Sequence, residues 1–167
     1  MRGRSVLFNL LWERVLALRL VEAQSVSTGW VRPYEERAWG GDQAVYEKII
    51  RLAPDDFGAA WLPSVWPGVA VEIKRLARIC ADGQARPAVL ILPVSIQAES
   101  GVADDYPQQR MKEICKSLGI PVLDLLPLFR AHAAERLFFD QCHLTPHGAA
   151  LAADAVARWI DGERLVP

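Results

Sequence analysis

Two short apolar runs limit what this chain can fold into. Ala88-Val89-Leu90-Ile91-Leu92 stops at Pro93, and Gly119-Ile120-Pro121-Val122-Leu123-Asp124 follows a stretch with helical periodicity. Residues 88–92 and 120–124 therefore read as buried strands, joined by a helix into a strand–helix–strand unit with a right-handed crossover. Parallel strands of this kind are covered by helices on both faces. The rest of the 167 residues reads as helix and loop, whereas an α/β layer fold of this length ordinarily offers its helices more sheet. The expectation is an α/β layer fold with a parallel sheet, one domain over 1–167 that is a C-terminal piece of a larger one.

The helices are marked by apolar stripes. Leu7, Leu10, Leu11, Val15 and Leu18 predict a helix over about 5–22, Val45, Ile49 and Leu52 a second, and Val69, Ile73, Leu76, Ala77 and Cys80 a third. Met111, Ile114, Cys115 and Leu118 predict a fourth, beginning near Pro107 and stopping at Gly119, which suits a left-handed position just past a helix end. Asp124 is expected to cap or turn the chain into a helix over 125–134 rather than to act as an acid, because it has no base nearby. The last helix has the clearest start: Thr145 is a good N-cap, Pro146 fits the first helical position, and Leu151, Ala152, Ala155, Val156, Trp159 and Ile160 follow before Asp161-Gly162 ends it. The stretches 25–41 and 54–67 are irregular and hold Trp30, Trp39, Trp61 and Trp66, expected to pin loops to the body more than to line a cleft.

Ahead of that last helix stands Asp140-Gln141-Cys142-His143, a carboxylate three positions before an imidazole. A carboxylate held against imidazole Nδ1 fixes the tautomer, leaves Nε2 free to take a proton from a nucleophile, and stabilises the imidazolium that results. The spacing also fits a bland arrangement in which Asp140 caps a turn and His143 fills a polar niche. A metal site on His143 and His147, with Cys142 and Asp140 nearby, fails on helix geometry, since ligands four apart share a face only on one helix and Pro146 begins the helix after His143.

The block Leu137-Phe138-Phe139-Asp140-Gln141-Cys142-His143-Leu144-Thr145-Pro146-His147-Gly148, followed by an Ala-rich amphipathic helix, resembles the last conserved block of the SGNH hydrolases, also called GDSL-type lipases and esterases. The run from 88 to 93, the helix opening at Asp105-Tyr106-Pro107-Gln108-Gln109 and the run from 119 to 127 are similar to that family's last two strands and the helix between them, so the resemblance is strongest over 66–160. It implies a serine-type hydrolase acting on ester bonds, with His143 as general base, Asp140 as its orienting acid, no metal or organic cofactor, and a small-molecule, carbohydrate or lipid ester as substrate. The family's Gly-Asp-Ser nucleophile block and Gly-x-Asn-Asp block have no counterpart. Asn9 is the chain's only Asn, and Ser5, Ser25, Ser27, Ser64, Ser95, Ser100 and Ser117 all lack the Gly-Asp context. The resemblance therefore implies the C-terminal part of an SGNH hydrolase domain, a three-layer αβα, flavodoxin-like fold with a parallel sheet, incomplete and lacking its N-terminal strands, with its nucleophilic Ser outside this chain. Alternatives are a noncatalytic binding domain that retains the fold and an O-acyltransferase of related fold acting on polysaccharide.

Charge adds exclusions. With 19 basic and 20 acidic residues the chain has no basic footprint for nucleic acid. Arg2 and Arg4 precede an apolar run, but Glu13-Arg14 and Arg19 interrupt it, so it reads as an amphipathic helix rather than a signal peptide, and no transmembrane helix is expected. The three cysteines lack Cys-x-x-Cys spacing, and Cys80 and Cys115 read as small core residues. Compartment and oligomeric state are left open.

Overall fold

A computed structural model describes residues 36–37, 41–102 and 104–165. The expected helix over 5–22, together with Trp30 and Trp39, lies outside the described residues. Helix α1, Gln43–Arg51, starts at Asp42, whose Oδ1 accepts from the Ala44 and Val45 amides at 2.8 and 3.4 Å. Its buried side chains are Tyr46, Ile49 and Ile50. The stripe is thus centred one residue off the predicted one, and Leu52 is exposed. After a 3-10 turn over Phe57–Trp61, α2 runs from Trp66 to Asp82. Gly58 is obligatory in that turn: a Cβ there would lie 2.2 Å from the Ile50 carbonyl oxygen.

The tryptophans of this region are anchors, as expected. Trp61 donates its Nε1–H to Asp104 Oδ2 at 2.7 Å and meets Tyr46 edge to face, and Trp66 donates to the Ala60 carbonyl at 3.0 Å. Each buries a large apolar ring while its N–H finds an acceptor, which is how an irregular segment is fixed without ladder hydrogen bonds.

Strand β1, Val89–Ile91, pairs in parallel with β2, Val122–Asp124, in the register Val89↔Val122, Leu90↔Leu123 and Ile91↔Asp124. Both are shorter than predicted, and proline is the reason. Pro121 has no N–H to donate, though its carbonyl accepts from Val89 at 2.9 Å, and Pro93 ends the other strand. Between the strands lie α3, Ser95–Glu99, and α4, Tyr106–Ser117. Helix α4 ends as predicted, with Gly119 at φ +66° and the Ile120 amide reaching back to the Cys115 carbonyl at 2.9 Å. Helix α3 was not legible: it has five residues and buries Ser95, Ile96, Gln97 and Ala98 alike, so no stripe marks it. A mutual pair of side-chain hydrogen bonds, Gln97 with Gln108 at 2.9 and 3.0 Å, satisfies its buried amide.

Helix α5, Leu126–Ala131, is shorter than the expected 125–134, and Asp124 plays the turn role assigned to it, accepting from the Leu126 amide at 3.0 Å while pairing with Lys112. Helix α6 spans Pro146–Gly162. One core cluster gathers Tyr46, Ile49, Ile50, Ala53, Ile96 and Val102. A second gathers Ala98, Leu125, Phe129, Leu137, Phe138 and Ala152, with Phe129 and Phe138 edge to face at 5.5 Å. Cys115 is fully buried as expected and Cys80 half-buried. Leu76, part of the predicted α2 stripe, is exposed, as are Val71, Ile79, Leu90 and Leu92. A mixed helical body around a small two-stranded parallel sheet, with strand and helix side chains left uncovered among the described residues, is the arrangement of an incomplete αβα fold. No described helix is long and apolar enough to cross a membrane.

Candidate active site

The site is a loop held at both shoulders. Phe138 and Leu144 form an antiparallel bridge, the Phe139 amide donates to the His143 carbonyl at 2.8 Å, and the Thr145 amide donates to the Leu137 carbonyl at 2.9 Å. These bonds close residues 139–143 into a tight protrusion. Its apex is tied to the body, because the Gln141 carbonyl accepts from the Ser95 amide at 2.9 Å, where α3 begins. Downstream, Thr145 Oγ1 donates to the Arg136 carbonyl at 2.8 Å and accepts from the Gly148 amide at 3.1 Å, the N-cap contact predicted from its position before Pro146. Gly148 allows α6 to start so close to the loop: a Cβ there would lie 2.3 Å from the Leu137 carbonyl oxygen, a backbone atom that cannot swing aside.

Within the loop the two predicted residues meet. Asp140 Oδ1 accepts from the amides of Cys142 at 3.0 Å and His143 at 2.8 Å, and Oδ2 sits 2.7 Å from His143 Nδ1. One carboxylate oxygen thus folds the turn while the other faces the imidazole, so three positions of sequence suffice to align the pair. Burial works to raise the Asp140 carboxyl, but the backbone N–H groups of His143 and Cys142, and then the imidazole, outweigh it and hold the carboxyl below its ordinary value. As an anion it can only accept, so the bond to it is donated by Nδ1–H, and in the neutral ring Nε2 is then the acceptor. The His143 side chain is 74% exposed, so Nε2 is open to an incoming group.

The other histidines are placed elsewhere. His147 Nε2 contacts Glu135 Oε2, and His132 Nδ1 lies 2.8 Å from Glu135 Oε1, so His143 and His147 do not converge. Hydrogen bonds from His147, then from His132, hold the Glu135 carboxyl below its ordinary value. What the sequence did not reveal is the place of Cys142, whose Sγ lies 3.8 Å from His143 Nδ1 on the exposed side of the loop. Among the described serines, Ser100 accepts from the Val102 amide, Ser117 donates to the Ile114 carbonyl, Ser64 lies in an exposed 3-10 turn, and Ser95 is buried at the start of α3.

Residues 95–166 match the family described as the SGNH hydrolase-like domain of acetyltransferase AlgX. The match opens at the first residue of α3 and takes in the loop, Asp140 and His143. No curated protein and no solved structure matches the chain. The C-terminal portion of this chain, from Ser95 onward, is thus similar to an SGNH hydrolase-like domain, and the matched stretch contains the block that ends at Gly148.

Proposed function

We infer that this chain supplies the general base and its orienting acid to an acyl-ester site of SGNH type. The observation that carries the reading is the 2.7 Å contact between Asp140 Oδ2 and His143 Nδ1, with Oδ1 locked by two backbone amides and Nε2 left open. In this reading a serine hydroxyl outside the described residues attacks the acyl carbonyl. His143 Nε2 takes its proton as the tetrahedral intermediate forms, then returns it to the departing alcohol. Asp140 remains ionised throughout and stabilises the imidazolium. No metal or organic cofactor enters these steps. The substrate is an ester of a small molecule, carbohydrate or lipid.

A second reading, transfer of the acyl group to a hydroxyl acceptor rather than to water, is favoured by the acetyltransferase in the matching family's description. The two share every step up to the acyl-enzyme and differ in what attacks it. One experiment addresses both: p-nitrophenyl acetate turnover, with and without acceptor sugars, by the protein as its own cells make it, beside a version with His143→Ala introduced at the chromosomal position. Loss of turnover by several orders of magnitude is expected. Free acetate as the sole product marks a hydrolase and acetylated sugar a transferase, while an unchanged rate in His143→Ala would remove the base from the mechanism and leave the noncatalytic binding domain.

A further inference from the structure

The loop that orients His143 also assembles a soft donor set, and we propose that Asp140, Cys142 and His143 bind a thiophilic divalent cation such as Zn2+, as an inhibitor that competes with the base function. One donor atom from each residue falls within 4.8 Å of the others. The Sγ to Nδ1 separation of 3.8 Å is already close to the roughly 3.5 Å expected between thiolate and imidazole ligands of a tetrahedral zinc. Binding asks only that Oδ2, now 2.7 Å from Nδ1, open by about half an ångström to become a third ligand. Oδ1 does not have to move, because the amides of Cys142 and His143 hold it. A tight turn rather than a helix face brings the three residues together.

The surroundings favour a cation. The Asp140 carboxylate, held between two backbone amides and the imidazole, puts a fixed negative charge at the donor set, which attracts a divalent ion. All three residues are exposed, so the ion arrives from solvent and keeps a water in its fourth position. The proton balance follows from the ligand atoms. Cys142 gives up its thiol proton to the buffer, and the imidazole proton moves from Nδ1 to Nε2 as Nδ1 takes the metal. One proton is released per ion bound. Nε2 then carries a hydrogen and cannot accept one, so the base is disabled by a change of tautomer, with no need to block the substrate.

The binding rests on the loop alone; only its effect on turnover rests on the proposed function, and the test reads binding without any substrate. Co2+ is titrated into the full chain, and the thiolate-to-cobalt charge-transfer absorption is followed, with Zn2+ then added to displace it. Calorimetry of Zn2+ binding in two buffers of different ionisation enthalpy counts the protons. The expected result is a charge-transfer band saturating at one equivalent, release of one proton, loss of the band in Cys142→Ser and weakening of about tenfold or more in His143→Ala. Cys80→Ser and His147→Ala leave it unchanged. The proposal is overturned if no band forms, if the band survives in Cys142→Ser, or if Cys80→Ser removes it. The exposed position of Cys142 keeps its variant folded, and circular dichroism of each variant checks this.

Discussion

Glu135 and Asp140 each hold imidazole nitrogen, yet only Asp140 is itself fixed by backbone amides of its own loop. Asp140 spends Oδ1 on two backbone amides of its own loop and presents Oδ2 to a single imidazole through Nδ1. Glu135 divides its two oxygens between His132 and His147, and it takes His147 by Nε2. The first arrangement fixes a carboxylate by the main chain and leaves a ring nitrogen pointing outward. The second is an exposed clamp between the end of α5 and the start of α6, held by three flexible side chains. A short carboxylate–imidazole distance is therefore no sign of function by itself; what the carboxylate's other oxygen does separates the two.

The sharpest way to break this contrast is on turnover. His143→Ala is expected to lower kcat of the cell-made protein by several orders of magnitude, while His147→Ala and His132→Ala stay within about threefold; equal losses across the three would erase the distinction. Asp140→Asn comes next, with a loss similar to or smaller than that of His143→Ala, on the order of 10³-fold or more, because an amide can present N–H to Nδ1 and reverse the tautomer. The 15N chemical shifts of the ring read this directly: Nδ1–H in the wild type, Nε2–H in Asp140→Asn.

Smaller effects report on the scaffold. Gly148→Ala forces a Cβ against the Leu137 carbonyl and should cost about 2 kcal/mol or more in urea unfolding, and Thr145→Ala, which removes the N-cap acceptor, about 1 kcal/mol. The least expected effect lies in pH dependence. Both carboxyls are held below their ordinary values, so each contributes stability present above the unfolded-chain value of about 4 and lost as the pH falls through the lower folded value. Glu135→Gln and Asp140→Asn should then unfold at lower urea than wild type at pH 7 and converge with it near pH 2. A gap that persists at low pH would trace to packing instead of charge.

Much of the site was legible because its signals are local. Thr145, Pro146 and the Asp140-to-His143 spacing each act within a few residues, and the last helix and the contact between Asp140 and His143 stand where they were placed. Gly119 and Asp124 are turn signals of the same local kind. The failures are of longer range. Helix α3 is stabilised by Gln108 and by the fold around it rather than by a stripe of its own. The α1 stripe is centred on Tyr46, which meets Trp61 edge to face, a contact that periodicity cannot foresee. The place of Cys142 was hidden for a different reason: helical spacing says nothing of a tight turn, in which Asp140, Cys142 and His143 can share one side.

The open position of His143 also sets the medium in which it works. Facing water, an imidazolium and a carboxylate attract each other through a dielectric near that of bulk solvent, and the stabilisation that the pair gives to a developing charge is correspondingly small. Excluding that water multiplies the same interaction several-fold without moving an atom. Under the proposed function, the strength of His143 as a base is thus set by whatever covers it, and ester turnover is expected to rise with the size of the surface laid over the loop.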